Sequence, residues 1–142
     1  MSNQQTFQTG LDAIQARDWA KFKTLVTDDY AFLGGPMPMN TEMFIAVQDA
    51  IGSAFPDFAF HVDKMTGTDD VFMCELHVTA SHSNTLTLPI PGLPPIPATH
   101  KSLSVPDALK VTMRSGKIAS VEAVPVPNGG MGALLKAIGV PV

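Results

Sequence analysis

Two side chains stand where proton transfer would be useful. Asp107 interrupts the apolar series Leu103, Val105, Leu109, Val111 and Met113, whose alternation has the period of one face of a β-strand. A carboxylate held among such neighbours without a partner loses hydration, so its pKa rises toward the range where it can exchange protons near neutrality. His82 shares the parity of Phe72, Cys74, Leu76 and Val78, which directs it to the apolar side near the end of its strand. These spacings predict Asp107 as a general base and His82 as an acid or oxyanion partner. Two alternatives stay open. A bulge at Pro106 would turn Asp107 into solvent, and His82 could be a satisfied core or rim histidine.

Four further residues are candidates for ligand contact. Glu122 lies between Val121 and Ala123 on a segment apolar on both faces, so periodicity does not choose its side. Tyr30 offers a hydroxyl and Trp19 an indole donor, with core packing as the competing reading. Met39 stands with Met37 and Met43 beside a Gly/Pro loop, where flexible thioethers suit an adaptable apolar pocket or ordinary packing. No metal site is predicted, because His77 and His82, five residues apart on a strand, point to opposite sides. Cys74 is the only cysteine; it provides neither a disulfide nor a zinc cluster, and on the apolar face its thiol should be inert. Gly34-Gly35 and Gly129-Gly130 read as turns rather than phosphate loops, and no cofactor is expected.

The elements that must position these residues follow from period and punctuation. Phe7, Leu11, Ile14, Trp19, Phe22 and Leu25 have largely helical spacing and predict two short helices across residues 6–27, the second capped by Asp18. A short extended segment, 28–33, is halted by Gly34-Gly35-Pro36. Asn40 or Thr41 caps a helix carrying Phe44, Val47, Ile51 and Phe55, with Glu42 at its positive end and Pro56 as its stop. The period then changes to two. Phe58, Phe60 and Val62 alternate with Ala59, His61 and Asp63 in a first long strand, and a second ends near Ser83. A third spans 101–114, and Ser115-Gly116-Lys117 turns it into a fourth over 118–126. A short apolar helix follows at Met131, Leu134, Leu135 and Ile138. The proline-rich segment from Pro89 to Pro97 is stiff and is expected to lie as a lid at a cavity mouth.

Helices followed by a run of mostly antiparallel strands is the order of an α+β fold. In that frame, Phe55-Pro56-Asp57, Asp70, Ala80-Ser81-His82-Ser83-Asn84 and Ser115-Gly116-Lys117-Ile118 resemble the SnoaL-like polyketide cyclases of the nuclear transport factor two-like superfamily. The resemblance runs from Asp18-Trp19 to the closing segment Leu134 to Gly139. It implies a cone-shaped, curved, mostly antiparallel sheet wrapped around N-terminal helices, one domain over 1–142, frequent homodimers, no metal, and acid–base cyclisation. The superfamily also holds isomerases, dehydratases, epoxide hydrolases and non-catalytic domains. Of the family's Gly-Thr-His-x-Gly pattern only His82 is retained. The position of the family's inward acid falls on Leu109, two residues from Asp107, and Glu122 replaces a large aromatic.

Composition bounds the rest. The chain has 142 residues, 45% hydrophobic and 15% charged, with a formal net charge of -4. That suits a single core and carries no basic footprint for nucleic acid. The start lacks a secretory pattern, and the longest stretch without charged residues, Leu76 to His100, is broken by prolines; no membrane segment and a cytoplasmic setting are expected. Apolar residues on both faces of the fourth strand predict a homodimer through the sheet. The reading is a metal-free acid/base enzyme of cyclase, isomerase or lyase type, acting on a small apolar carbonyl compound such as a polyketide. The alternatives are a non-catalytic module for a small hydrophobic ligand and a dimeric interaction domain.

Overall fold

Ser2 starts the first helix. Its hydroxyl accepts from the Gln5 N–H while the Gln5 side chain accepts from the Ser2 N–H, closing a capping box. Helix α1 therefore begins at Asn3, earlier than the apolar periodicity alone predicts, and runs Asn3–Gln15. The computed structural model describes residues 2–34, 37–89 and 92–139. Gly35 and Pro36 of the expected turn and Pro91 of the expected lid lie outside them. Asp18 caps α2 (Trp19–Leu25) by accepting from the Lys21 N–H, and Asn40 caps α3 (Thr41–Ala54) through the Met43 N–H.

The strands are β1 (Val26–Leu33), β2 (Ala59–Gly67), β3 (Val71–Ser81), β4 (Ser102–Arg114) and β5 (Lys117–Ala123); helix α4 (Gly130–Ala137) follows. They form one five-stranded sheet in the order β1-β5-β4-β3-β2, antiparallel except for the parallel β1/β5 pair. That parallel closure joins the segment after the first two helices to the last strand. Strand β5 ends at Ala123 rather than at 126, because Pro125 has no N–H to continue a ladder.

The inner face of the sheet carries Phe72, Cys74, Leu76 and Val78, paired with Val111, Leu109, Asp107 and Val105. Phe7, Leu11 and Ile14 of α1 and Phe44, Val47 and Ile51 of α3 join these residues in one buried core, with the Phe7 and Phe72 rings meeting edge-on at 5.9 Å. The outer face is polar. His61 pairs with His77, Lys64 with Glu75, Lys110 with Glu122 and Thr112 with Ser120. The expectation that β5 is apolar on both faces is thereby corrected: Ser120 and Glu122 occupy its outer positions, and the apolar residues beyond Ala123 have left the sheet.

Past β3 the chain folds back on itself. Leu86 and Ile96 exchange two backbone hydrogen bonds of 2.8 Å, and Leu86 and Leu88 are buried. The segment predicted as a lid is thus anchored into the core at its base, and its described residues line neither the depression at Tyr30 nor the small space beside Phe55.

Candidate functional site

Asp107 reaches the inner face because the β3/β4 register runs unbroken from Val71↔Thr112 to Ser81↔Ser102, with Leu76 opposite Asp107 and His77 opposite Pro106. No bulge forms at Pro106. Strand β5 stops opposite Leu109, so the proline's missing donor falls where the far side of β4 has no partner strand to serve. The Asp107 carboxyl is half-buried, and Oδ1 accepts from the Ala108 N–H at 2.8 Å. Burial raises its pKa above the usual carboxylate value, outweighing that hydrogen bond. The start of α4 abuts it. A Cβ on Gly129 would lie 2.5 Å from the Pro106 carbonyl oxygen, so only glycine permits this approach there, while Gly130, at φ 76, comes within ordinary contact of Asp107, 3.6 Å from Oδ1 to an added Cβ. Lys101 Nζ, just before β4, donates to the Ala137 carbonyl at 2.9 Å and ties down the other end of the helix. The Cys74 thiol is pushed up to about 12, first by burial and next by the charge of Asp107; it is an inert core group.

The structure separates His82 from Asp107. Leu76 is opposite Asp107 and His82 lies six residues further along, roughly 20 Å at the rise of an extended chain. The His82 ring is fully buried, stacks on Phe55 with centroids 5.0 Å apart, and accepts at Nδ1 from Thr99. The pair expected to share one reaction therefore occupies two places in the fold.

The ligand-contact candidates also divide. Tyr30 and Met39 come together with Met43, Pro38 and Asn40 around a depression of about 460 Å³ at the outer edge of β1, where Phe32 and Met39 exchange backbone hydrogen bonds. The Tyr30 ring packs edge-on against Phe22 and Phe44, and burial raises its pKa, keeping the hydroxyl protonated. Trp19 is absent from that lining: its Nε1–H donates to Asp49 at 3.0 Å, and Asp49 also binds Arg17. The indole donor expected for a ligand is spent on tying α2 to α3. Glu122 is exposed on the outer face opposite Lys110, which corrects its expected place in the cavity. A second, water-sized space of about 20 Å³ lies between α1 and α3 beside Phe55 and Phe58.

The profile of the SnoaL-like domain matches residues 7–121. The chain belongs to the SnoaL-like family. Among solved structures, this SnoaL-like chain is similar to a candidate SnoaL-like polyketide cyclase from Jannaschia sp. CCS1, with 20% identity, a TM-score of 0.73, and 99% of this chain and 93% of that one covered. It is also similar to AclR, a candidate hydroxylase from Streptomyces galilaeus, with 17% identity, a TM-score of 0.74 and coverages of 98% and 97%. A third is a protein of ketosteroid isomerase-like fold from Catenulispora acidiphila, with 15% identity, a TM-score of 0.67 and coverages of 96% and 93%. At these identities the likeness shows the fold, which is the cone-shaped one expected. No curated protein matches.

Sequence reasoning about this SnoaL-like domain missed the partners rather than the candidates. Asp49 and Thr99 carry no period that marks them; their roles come from helices and loops far apart in the chain. On the outer face His77 Nδ1 sits 3.1 Å from both oxygens of Asp63 and stacks on His61 at 4.7 Å. The bulge between Val62 and Lys64 shifts the register there, which simple alternation does not forecast. Among the described residues no cluster of three or more His, Cys, Asp or Glu could hold a metal, and no helix is long and apolar enough to cross a membrane.

Proposed function

We propose that this SnoaL-like domain, one unit over 1–142, is an acid/base enzyme of cyclase, isomerase or lyase type acting on a small apolar carbonyl compound, with Asp107 as the base. The observation that carries the reading is a half-buried carboxyl on the inner sheet face, raised in pKa by burial and roofed by the glycine pair that opens α4. An ionised Asp107 would take a proton from the carbon next to the carbonyl and return it elsewhere on the product. His82 is too far along β3 to assist, so the oxyanion partner would come from the residues around the start of α4.

The test is solvent exchange. Small molecules that co-purify with the protein are identified by native mass spectrometry, then incubated with it in D₂O. Uptake of deuterium at the position next to the carbonyl, lost in Asp107→Asn, is the expected result; a bound compound released with no deuterium after hours argues against catalysis. That second outcome would favour a binding module, a reading supported by the open depression at Tyr30 and Met39, whose carboxylate Asp29 is already engaged by Arg114 and Thr27.

The proposed homodimer would use the sheet, and with Lys110, Glu122, His61 and His77 on its outer face the contact would be polar and salt-sensitive. Equilibrium sedimentation at micromolar concentration should give twice the chain mass at low salt and less at high salt; a single-chain mass throughout rejects it. A reducing, cytoplasmic setting would suit the lone thiol.

A further inference from the structure

His82 joins two segments that are distant in the chain. Its backbone N–H donates to the Lys101 carbonyl and its carbonyl accepts from the His100 N–H, both at 2.9 Å. Its ring repeats the connection. Nδ1 accepts the Thr99 backbone N–H at 3.2 Å and stands 2.9 Å from the Thr99 hydroxyl. Because a backbone amide can only donate, Nδ1 must be unprotonated, which places the ring proton on Nε2. Nε2 is fully buried with no hydrogen-bond partner. The bond to Thr99 closes the base of the loop between residues 83 and 98, and the next residue, His100, is held there at φ 58, a left-handed backbone conformation that side chains seldom adopt. The ring's bond from the Thr99 N–H requires a neutral imidazole.

We propose that the His82–Thr99 contact is a pH-sensitive clasp on the loop it closes, and that protonation of His82 opens the described stretches of that loop, 83–89 and 92–100, locally while the sheet stays folded. A proton on Nδ1 points at the Thr99 N–H. The Thr99 hydroxyl can turn to accept it, but the amide cannot, so that bond is lost and a charge is left in an apolar setting against Phe55. The groups facing the ring do little to rescue the cation. His100 opposes it, and the Asn84 backbone favours it without reaching hydrogen-bonding geometry. Asp57, on the turn before β2, is taken by the Ser81 N–H, and the Lys101 ammonium reaches away to α4.

The direction follows from linkage. Burial holds the His82 pKa of the closed state below the ordinary histidine value. The clasp is therefore complete above about pH 6.5 and weakens as the pH falls below it, where the open form takes the proton more readily. Opening would release the strained His100 and uncover Phe55, Leu86 and Leu88.

Amide hydrogen exchange of the full chain, corrected for intrinsic rates, tests this between pH 7.5 and 5. Protection of the Leu86, Ile96, Thr99 and His100 amides should fall by roughly tenfold for each pKa unit separating closed and open states, with the central amides of β3 and β4 unchanged. His82→Gln retains an acceptor without a titration and should abolish the pH dependence. His100→Asn, which tolerates the left-handed backbone, should leave it in place. Should His82→Gln fail to fold, the wild-type His82 ring resonance must titrate at the midpoint of the opening. The proposal is overturned if the loop and the sheet lose protection together, if the effect persists in His82→Gln, or if the two midpoints differ.

Discussion

Replacing Asp107 with asparagine should lower turnover by roughly 10² to 10⁴-fold while leaving ligand affinity close to that of the wild type. The amide keeps the shape and can still meet the Ala108 N–H through its oxygen, but it cannot accept a proton. The pH profile adds a second readout. Since burial raises the Asp107 pKa above the ordinary aspartate value, the acidic limb of activity should lie above the ordinary carboxylate range and should disappear in the variant. Stability moves the other way. A carboxyl whose pKa is raised on folding binds its proton more tightly in the native state, so it costs stability as the pH rises past the unfolded value near 3.9 and through the folded one. At neutral pH, Asp107→Asn should therefore be at least as stable as the wild type in urea titration. Full activity in the variant, or an unshifted acidic limb, would remove Asp107 from the reaction.

Phe22→Ala should destabilise the fold by about 3 to 5 kcal/mol, a large share of the roughly 5 to 15 kcal/mol that holds a typical domain together. Phe22 is 2% exposed. Its ring stacks on Phe44 at 5.5 Å and meets Tyr30 edge-on at 5.8 Å and Trp19 at 6.4 Å. Truncation would leave a cavity where α2, α3 and β1 converge, and because the Asp49 contacts already fix α2 against α3, collapse into the gap would be partial. A shift in the urea midpoint at unchanged slope is the expected signature. Because Tyr30 leans on the same ring, its hydroxyl should lose its fixed place in the depression with Met39, and any ligand held there should bind more weakly. A loss below 1 kcal/mol would mean that the aromatic cluster repacks freely.

The local features of this fold were readable because they depend on residues close in the chain. Asp18 caps its helix as expected and Asn40, one of the two candidates, caps the next, since a cap needs only a short acceptor three residues before a free N–H. The strand parity that put Asp107 with Val105 and Leu109 survived into the sheet because side-chain alternation is a property of the strand itself. The ambiguity at Pro106 was different in kind. It turned on whether β5 extends far enough to need the missing donor, and that length was decided by Pro125 and by the pairing of Ala123 with Leu109.

What only the tertiary structure decided were matters of partner and distance. Trp19 was legible as an indole near a helix start, but nothing near it in the chain points to Asp49, thirty residues on. Glu122 had two apolar neighbours and no local preference; opposite Lys110 it faces outward, a consequence of the β4/β5 register and its shift between Thr112 and Met113. His82 and Asp107 share an inward parity, yet pairing sets them roughly 20 Å apart, because period reports the side of a sheet and not the position along it. Side and element type come from interactions a few residues long. Register, spacing and hydrogen-bond partners come from contacts between distant segments, which exist only once the chain has closed on itself.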